Sequence, residues 1–421
     1  MKSVLVNHSD LIGGAAIAAY RTHKALRHVG VDSSMWVDRK TSDDWTVKSP
    51  ASLWSRLMVQ LRGPLGRALP ELFFNDELDN YRSYNWIPSR LHRKLNASDA
   101  DLVHLEWINN ETMSIADLSK IRKPKIMTLH DMWLFCGGEH YSEDDRYKTG
   151  YTKSTRPGTL NRVDIDRWIW RRKQRVWQHP FQLVAVSEWL AECVRNSRLL
   201  ADWPVEVIPN PVDTTIWKPL DRHVARAAFN LPVDKKIVLF GATGGTSFER
   251  KGYRYLQDAL STIAQERDDI HLVIYGQGKP ENPPPSPFPV SYAGRLSDPL
   301  TMCLLNNAAD VFVTPAMQEA FGQTASEAQA CGTPVVAFAK TGIADIVEHK
   351  RTGYLAPLGD AKQLAQGLLW VMNRNTDSSC GISIDEIREN CRNRALAEFS
   401  YEFVGMRYKE LYSAVLENNV S

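Results

Sequence analysis

The stretch that decides the fold is Asp310-Val-Phe-Val-Thr-Pro-Ala-Met-Gln-Glu-Ala-Phe-Gly-Gln-Thr-Ala-Ser-Glu-Ala-Gln-Ala-Cys-Gly-Thr-Pro-Val-Val-Ala-Phe338. It opens with an apolar run that predicts a strand over Asp310–Thr314, and it closes with a second run that predicts a strand over Pro334–Phe338. Between the two runs, Thr324 is placed to cap a helix that ends at the Cys331-Gly332 stop. A strand, a loop, a helix and a further strand form the repeating unit of a parallel sheet wrapped by helices. The stretch therefore predicts an α/β fold.

The same alternation of short β-branched runs and helical patterns extends along the rest of the chain. Strands are predicted over Ser3–Asn7, Ser34–Val37, Asp101–Glu106, Lys125–Leu129, Gln182–Ser187 and Val205–Ile208 in the first half, and over Lys236–Phe240, His271–Tyr275 and Val290–Ala293 in the second. Helices fall between them, beginning with Ala15–Arg27. Each half of the chain therefore predicts a doubly wound, Rossmann-like parallel sheet.

Two domains are expected because 421 residues exceed what one ordinary core holds. The segment Pro209–Pro219 has prolines at both ends and no clear period, which is typical of a linker. We predict an N-terminal domain over 1–210 and a C-terminal domain over 211–399, and we expect the helix predicted over 400–421 to pack back on the first. Two such domains are predicted to face each other across a cleft that holds the ligand loops.

Composition and charge exclude several classes of protein. The 51 Lys and Arg residues nearly balance the 49 Asp and Glu residues, so no nucleic-acid partner is expected. The six cysteines form no C-x-x-C pair, which favours reduced thiols and a cytoplasmic location. Neither a signal peptide nor an apolar run long enough to span a bilayer is recognisable, so any membrane contact is expected to be peripheral.

The loop and helix start inside the opening stretch have the chemistry of a site for a diphosphate-bearing ligand. The backbone N–H groups of Phe321, Gly322, Gln323 and Thr324 lie at a helix start, where the helix dipole favours an anion. Glu319 and Glu327 flank this position, and ionised carboxylates accept hydrogen bonds from sugar hydroxyls. In a plainer interpretation, Glu319 is a solvated loop residue and Glu327 a glutamate favoured by the dipole.

This stretch resembles the E-x7-E signature of retaining GT-B glycosyltransferases, in particular glycosyltransferase family 4. The resemblance includes Phe321-Gly322, Glu327-Ala328 and Cys331–Val336. It implies a GT-B fold, in which Glu319 contacts the transferred sugar and Glu327 contacts the ribose of a nucleotide diphosphate-sugar donor.

Further matches to the family run along the whole chain. Gly13-Gly14 resembles its N-terminal glycine-rich loop, and the loop Gly294–Asp298, with Arg295, resembles the one near the nucleotide base. Lys251 matches the lysine that neutralises the donor phosphates. The usual arginine five residues earlier is Thr246 in this chain, and the resemblance leaves Arg250 or the backbone N–H groups of Gly244 and Gly245 as substitutes.

His130 follows the predicted strand Lys125–Leu129 and resembles the N-domain histidine of the family, which implies a role in orienting the reacting sugar. In the alternative interpretation it is a structural histidine. The segments Cys136–Tyr141 and Arg146–Gly150 resemble a subgroup that makes bacterial surface polysaccharides.

The resemblance implies a retaining enzyme that transfers a hexose-type sugar to a glycan or lipid-linked oligosaccharide acceptor by same-face attack. The catalytic residues implied are His130, Lys251 and Glu319, and neither a metal ion nor another cofactor is predicted. The base, the sugar and the acceptor are not specified. A nucleotide-sugar epimerase of the same fold remains an alternative. A catalytically inactive sugar-binding or scaffold protein is another, and Thr246 in the arginine position keeps it open.

Two basic stretches, 53–69 and 168–177, each allow two interpretations. Leu53, Trp54, Leu57, Leu61 and Leu65 repeat at helical spacing with arginines between them. Each stretch either buries its apolar face in the N-terminal domain or contacts an anionic membrane. We therefore expect a cytoplasmic protein that is either free or bound peripherally to the inner face of the cell membrane.

Overall fold

The structure is a computed structural model that describes residues 1–74, 82–158, 163–241, 244, 246–374 and 381–418, with the backbone alone given for 69–74. The chain divides into two compact units. The first unit contains Met1–Asn210 together with Val404–Ser421, and the second contains Pro211–Phe403. None of the helices among these described residues is long and apolar enough to cross a membrane.

The first unit is built on a seven-stranded sheet in the order β3-β2-β1-β4-β5-β6-β7. Its strands are β1 (Lys2–Ser9), β2 (Asp32–Arg39), β3 (Val47–Lys48), β4 (Leu102–Leu105), β5 (Lys125–Leu129), β6 (Gln182–Ala185) and β7 (Val205–Val207). Every pairing is parallel, and Leu5 lies opposite Met35 on one side and His104 on the other. The strand order reverses between β1 and β4, which is where doubly wound sheets place their ligand loops.

The helices of this unit cover the sheet with amphipathic faces. They are α1 (Gly14–His28), α2 (Leu53–Phe74), α3 (Leu91–Ala97), α4 (Ile115–Leu118), α5 (Arg146–Thr149), α6 (Ile165–Val176) and α7 (Glu188–Arg195). In α6, Ile165, Ile169 and Trp170 are buried on one face, while Trp168 is 45% exposed on another. Such one-sided burial follows from apolar residues repeated at helical spacing.

The second unit repeats this design with a six-stranded parallel sheet in the order β10-β9-β8-β11-β12-β13. Its strands are β8 (Lys236–Gly241), β9 (Ile270–Tyr275), β10 (Val290–Gly294), β11 (Val311–Thr314), β12 (Val335–Phe338) and β13 (Gly353–Ala356). Its helices are α8 (Arg222–Ala228), α9 (Tyr253–Ile263), α10 (Pro299–Ala308), α11 (Gln323–Ala330), α12 (Ala361–Met372) and α13 (Ile384–Phe399). Here the strand order reverses between β8 and β11.

The predicted fold class is confirmed, and each strand predicted from the sequence overlaps an observed strand. Two strands were missed because their sequences give little signal. β3 has only two residues, and β13 reads Gly-Tyr-Leu-Ala without alternation or β-branching. Both are edge strands of their sheets.

The C-terminal helix α14 (Tyr401–Asn418) packs into the first unit from Val404 onward. Its Tyr412 hydroxyl lies 2.8 Å from Nδ1 of the fully buried His104, whose Nε2 lies 2.7 Å from Thr128 Oγ1. Burial lowers the pKa of His104, so the ring is neutral at neutral pH and uses one nitrogen as donor and the other as acceptor. The helix thus closes a buried polar network as well as an apolar surface.

Removing the Tyr412 hydroxyl tests this attachment. We expect Tyr412→Phe to lower the stability of the protein by about 1–3 kcal/mol, because it leaves a buried imidazole nitrogen without a partner. Ser413→Ala, which removes an exposed hydroxyl on the same helix, is the control. Thermal unfolding of both variants would measure the difference, and equal midpoints would refute the role given to Tyr412.

Candidate functional site

The carboxyl ends of β8 and β11, the strands at the reversal point of the second sheet, bring two predicted site residues together. Lys251 follows β8 and Glu319 follows β11, and Lys251 Nζ lies 2.5 Å from Glu319 Oε2. The Lys251 side chain is 23% exposed and that of Glu319 is 18% exposed. The pair is therefore held by the protein yet accessible to a ligand.

Close backbone packing between the two loops fixes this pair. Gly252 has φ +70°, and a Cβ there would lie 1.9 Å from the carbonyl oxygen of Pro315. Met317 N donates to Arg250 O at 2.9 Å, and Arg250 Nη1 donates to Gln318 O at 2.7 Å. The short 3-10 turn Glu249–Lys251 is thus bonded along the chain segment that carries Glu319.

The electrostatic balance keeps Glu319 ionised. Burial raises the pKa of Glu319, but the charges of Lys251 and Arg250 and the hydrogen bond from Lys251 outweigh it, so the pKa lies below the ordinary glutamate value. At neutral pH the carboxylate can only accept hydrogen bonds, while the ammonium has further protons to donate. This is a suitable combination for a ligand with hydroxyl groups and negative charge.

The start of α11 differs from the prediction. Thr324 was expected to cap this helix, but the N-cap is Gly322, with φ +100° and no side-chain cap. A side chain is disfavoured here by the left-handed backbone and because a Cβ would lie 2.8 Å from Ile343 Cγ1. The helix therefore begins one residue before Thr324, at Gln323, and Gly322 has no side chain to cap it. The N–H groups and the dipole of a helix start attract anions.

Glu327 lies on the interior side of α11. It is 4% exposed, and it borders Tyr275 at the end of β9. Burial, and next the negative charge of Glu327, raise the pKa of Tyr275 well above its ordinary value. Glu327 is thus near the end of β9, whereas Glu319 belongs to the β8–β11 junction.

The other residues predicted to bind the sugar donor, and their contacts, lie in the loops after β8, β9 and β10. Thr246 Oγ1 lies 2.6 Å from Gln277 Nε2, so a neutral pair occupies the position where the family has arginine. The N–H of Gly244 donates to Gly276 O at 3.4 Å, and Gly245 lies outside the described residues. Of the predicted substitutes for that arginine, Arg250 is the one whose charge acts on Glu319. Arg295 is exposed after β10.

In the first unit, His130 is buried at the end of β5 and is held by a carboxylate. Its Nε2 lies 2.7 Å from Glu106 Oε2, and the His130 side chain is 5% exposed. Glu106 is fully buried just after β4, and its Oε1 lies 3.4 Å from His104 Nε2. Sequence reasoning missed Glu106, although an acidic residue after a strand adjacent to β5 was the available signal. Gly14 begins α1, directly after the left-handed Gly13.

The predicted site residues therefore form two sets, one in each unit. His130 and Gly14 belong to the first unit. The second unit brings together Lys251, Arg250 and Glu319, and it places Phe321, Gly322, Gln323, Thr324 and Glu327 on one loop and helix.

Comparison with known families identifies two matching segments. Residues 12–216 match the family described as Glycosyltransferase Family 4, and residues 235–374 match the family described as Glycosyl transferases group 1. The chain carries glycosyltransferase domains in both halves, so the predicted enzyme class is confirmed at this level.

Curated relatives and solved structures agree with these matches. The D-inositol 3-phosphate glycosyltransferase of Thermobispora bispora is 28% identical over 228 residues, which cover 51% of this chain and 51% of that protein. The chain spans about a third to a half of the length of the curated relatives that it matches first.

Two solved structures match over nearly their whole length. Sucrose-phosphate synthase from Thermosynechococcus elongatus has a TM-score of 0.65 at 19% identity, covering 99% of each chain. Anabaena HepE, in complex with UDP and glucose, has a TM-score of 0.62 at 18% identity, covering 98% of this chain and 100% of that one. This likeness confirms the GT-B fold.

Substituting Gly252 tests how the two loops are held together. We expect Gly252→Ala to destabilise the protein by about 1–3 kcal/mol, because the new Cβ meets the Pro315 carbonyl and the left-handed backbone is strained. Gly278→Ala is the control, since a Cβ there has no neighbour within 4 Å. Thermal unfolding would compare them, and a Gly252→Ala variant as stable as the control would contradict this account.

Proposed function

We propose that this protein transfers a hexose-type sugar, with retention of configuration, from a nucleotide diphosphate-sugar to a glycan or lipid-linked oligosaccharide acceptor. The observation that carries the proposal is the Lys251–Glu319 ion pair at the β8–β11 reversal point, in the same unit as the helix start of α11. The glycosyltransferase domains in both halves support it. The HepE structure, which contains UDP and glucose, makes UDP-sugars the first donors to examine.

In this proposal, different residues of the second unit bind different parts of the donor. The diphosphate binds at the start of α11, through the N–H groups of Phe321, Gly322, Gln323 and Thr324, and is neutralised by Lys251 and Arg250. Glu319 accepts hydrogen bonds from the transferred sugar, and Glu327 accepts them from the ribose. Gly14, Gly244, Gly245 and Arg295 complete the donor-binding set by resemblance to the family.

The reaction proposed is a same-face substitution at the anomeric carbon. The bond from this carbon to the diphosphate oxygen breaks, and the bonding pair leaves with the diphosphate. The acceptor hydroxyl forms the new bond, and its proton passes to the departing phosphate oxygen. Lys251 stabilises the negative charge that develops on the leaving group, so the chemistry is proposed to proceed without a metal ion. His130, whose Nε2 is bonded to the Glu106 carboxylate, is proposed to orient the reacting sugar through its other ring nitrogen, Nδ1.

Single substitutions in the ion pair test the proposal directly. We expect Lys251→Ala and Glu319→Ala each to reduce sugar transfer by at least about 100-fold, as is typical when a charged group that stabilises a transition state is removed. Arg254→Ala is the matched control, because this exposed cation lies just after Lys251 and pairs with Glu249. Transfer from UDP-, GDP- and ADP-sugars, chosen first by thermal shift, is the measurement. Near-wild-type turnover in either ion-pair variant would refute the assignment.

One observation favours a second candidate, a sugar-binding protein without transferase activity. The neutral Thr246–Gln277 pair supplies no cation in the loop where the family has arginine. Such a protein would bind a donor but release no nucleotide diphosphate, even slowly in the absence of acceptor. An epimerase would convert the donor without an acceptor. Product analysis with and without acceptor glycans distinguishes the three.

We also propose that α2 attaches the protein to an anionic membrane. The interpretation in which this helix buries its apolar stripe is wrong, because the stripe is exposed. Leu53 is 84% exposed, Trp54 is 71% exposed and Leu65 is 50% exposed. The inner side instead holds Gly66, where a Cβ would lie 2.4 Å from Glu111 Cγ, and the buried Arg62, which pairs with Asp38 at 3.3 Å. The exposed Arg56 adds positive charge beside the stripe, which suits a surface of anionic lipids.

Vesicle binding tests this attachment. We expect the protein to pellet with phosphatidylglycerol vesicles at low salt, and Trp54→Gln/Leu57→Gln to reduce the pelleted fraction several-fold because less apolar area enters the interface. Leu220→Gln/Val224→Gln removes two exposed apolar side chains from the second unit and is the control. Equal pelleting of the two double variants would exclude α2 as the membrane contact.

A further inference from the structure

A positively charged hollow in the first unit contains none of the residues proposed to bind the sugar donor. It has a volume of about 710 Å³ and is lined by α6 and by the segment before it. Its cationic lining residues are Lys153, Arg156, Arg167, Arg171, Arg172 and Arg175. We call this hollow the arginine pocket. Its volume is in the range of sites that hold small molecules.

The acidic residue that lines the pocket does not neutralise it. Asp164 accepts a hydrogen bond from the Arg167 backbone N–H at 3.0 Å, which caps α6. The same carboxylate pairs with Arg146 Nη2 at 2.5 Å, and both side chains are 6% exposed. The charge of Asp164 is therefore balanced by an arginine that is not part of the pocket lining.

The spacing of the arginines on α6 lowers the stability of the helix. Arg167, Arg171 and Arg175 are spaced four residues apart, and like charges at this spacing destabilise a helix. Within the described parts of the chain, none of the three forms an ion pair with an acidic side chain. The chain as a whole has a formal charge of only +2, so this concentration of positive charge does not follow from overall composition.

Aromatic contacts hold Trp168, one of the residues that line the pocket, in place. Trp168, 45% exposed, meets Trp86 edge-on with ring centroids 5.7 Å apart. The Arg172 guanidinium lies 5.8 Å from the Trp168 ring centroid, and its Nη2 donates to Trp86 O at 3.4 Å. On the opposite side of α6, the fully buried Lys173 donates to the carbonyls of Cys136 and Gly137 at 3.0 and 2.7 Å. The side of α6 that faces away from the arginines is thus bonded to Cys136 and Gly137.

We propose that the arginine pocket binds the phosphate or diphosphate group of a ligand other than the sugar donor. Arginine is the side chain best suited to phosphate, because its planar guanidinium donates two parallel hydrogen bonds to two oxygens. Such a ligand would offset the repulsion between neighbouring arginines. The pocket is larger than one phosphate group requires, which leaves room beside Trp168 for the body of a phosphate ester.

Calorimetric titration with inorganic pyrophosphate tests the proposal in the full-length Lys251→Ala variant, which removes a cation of the donor site. In this background we expect Arg171→Gln/Arg175→Gln to weaken pyrophosphate binding at least about tenfold, because two charge-assisted hydrogen bonds are lost. Both arginines are exposed, so the substitutions leave the core intact. Binding by the parent should also weaken as salt is raised.

The chain offers a matched control in a second, smaller hollow of about 430 Å³, lined by Arg93 and Arg122 among others. Arg93→Gln/Arg122→Gln removes the same number of exposed cations from the same unit. We expect this control to leave the pyrophosphate affinity within twofold of its parent. The proposal is overturned if pyrophosphate does not bind, or if both double variants lose affinity equally, since the charges would then act only as a diffuse surface field.

A competition experiment distinguishes the two sources of such a phosphate. Phosphatidic acid vesicles are added to the pyrophosphate titration in a protein that also carries Trp54→Gln/Leu57→Gln. Competition supports a lipid headgroup as the natural ligand of the pocket, and lack of competition supports a soluble phosphate ester. Neither result depends on sugar transfer, so the pocket and the proposed enzymatic function are tested separately.

Discussion

The closeness of Lys251 and Glu319 depends on one constraint, which is that β8 and β11 are neighbours although sixty-nine residues lie between the end of β8 and the start of β11. In a parallel sheet, all strands release their loops at the same edge. The reversal of strand order places the loops after β8 and β11 side by side with no strand between them. Gly252 then lets the two backbones approach, and the ion pair forms across the gap.

This arrangement explains how the two charges are held in place. A buried carboxylate without a partner would become protonated, and an isolated lysine would remain solvated and mobile. The charge of Lys251 keeps Glu319 ionised, and the backbone bonds from Met317 and to Gln318 fix the loops that carry the pair. A ligand that brings both hydroxyl groups and phosphate can therefore meet preorganised partners of each sign.

The fold and the loop of the candidate site could be predicted from the sequence because both give local signals, whereas Lys251 and His130 were predicted from the resemblance to the family. Alternating apolar runs located the strands, and the Glu319–Glu327 stretch located the loop and helix. The helix cap was predicted wrongly because capping preference favours Thr324, whereas the approach of Ile343 and a left-handed backbone require Gly322. That requirement comes from a residue distant in the chain, which no local pattern contains.

Glu106 was missed for the same reason, since its importance arises from β4 and β5 lying side by side. The orientation of α2 also could not be predicted from the sequence. Its apolar repeat is compatible with a buried face or an exposed one, and the choice depends on Gly66 approaching Glu111. A repeat of apolar residues fixes which side chains share a face of a helix, but not which face the rest of the fold covers.

Charge follows a similar logic in α6. The totals of acidic and basic residues determine the electrostatic field far from the protein. A ligand responds instead to the charges within about one Debye length, roughly 10 Å at ordinary salt. Asp164 and Asp166 lie beside the arginines in sequence, yet the fold pairs them with Arg146 and Arg82 instead. Because these two acids are paired elsewhere, the row Arg167, Arg171 and Arg175 has no acidic partner among the residues that the structure describes. A nearly neutral chain can therefore carry a strongly cationic pocket.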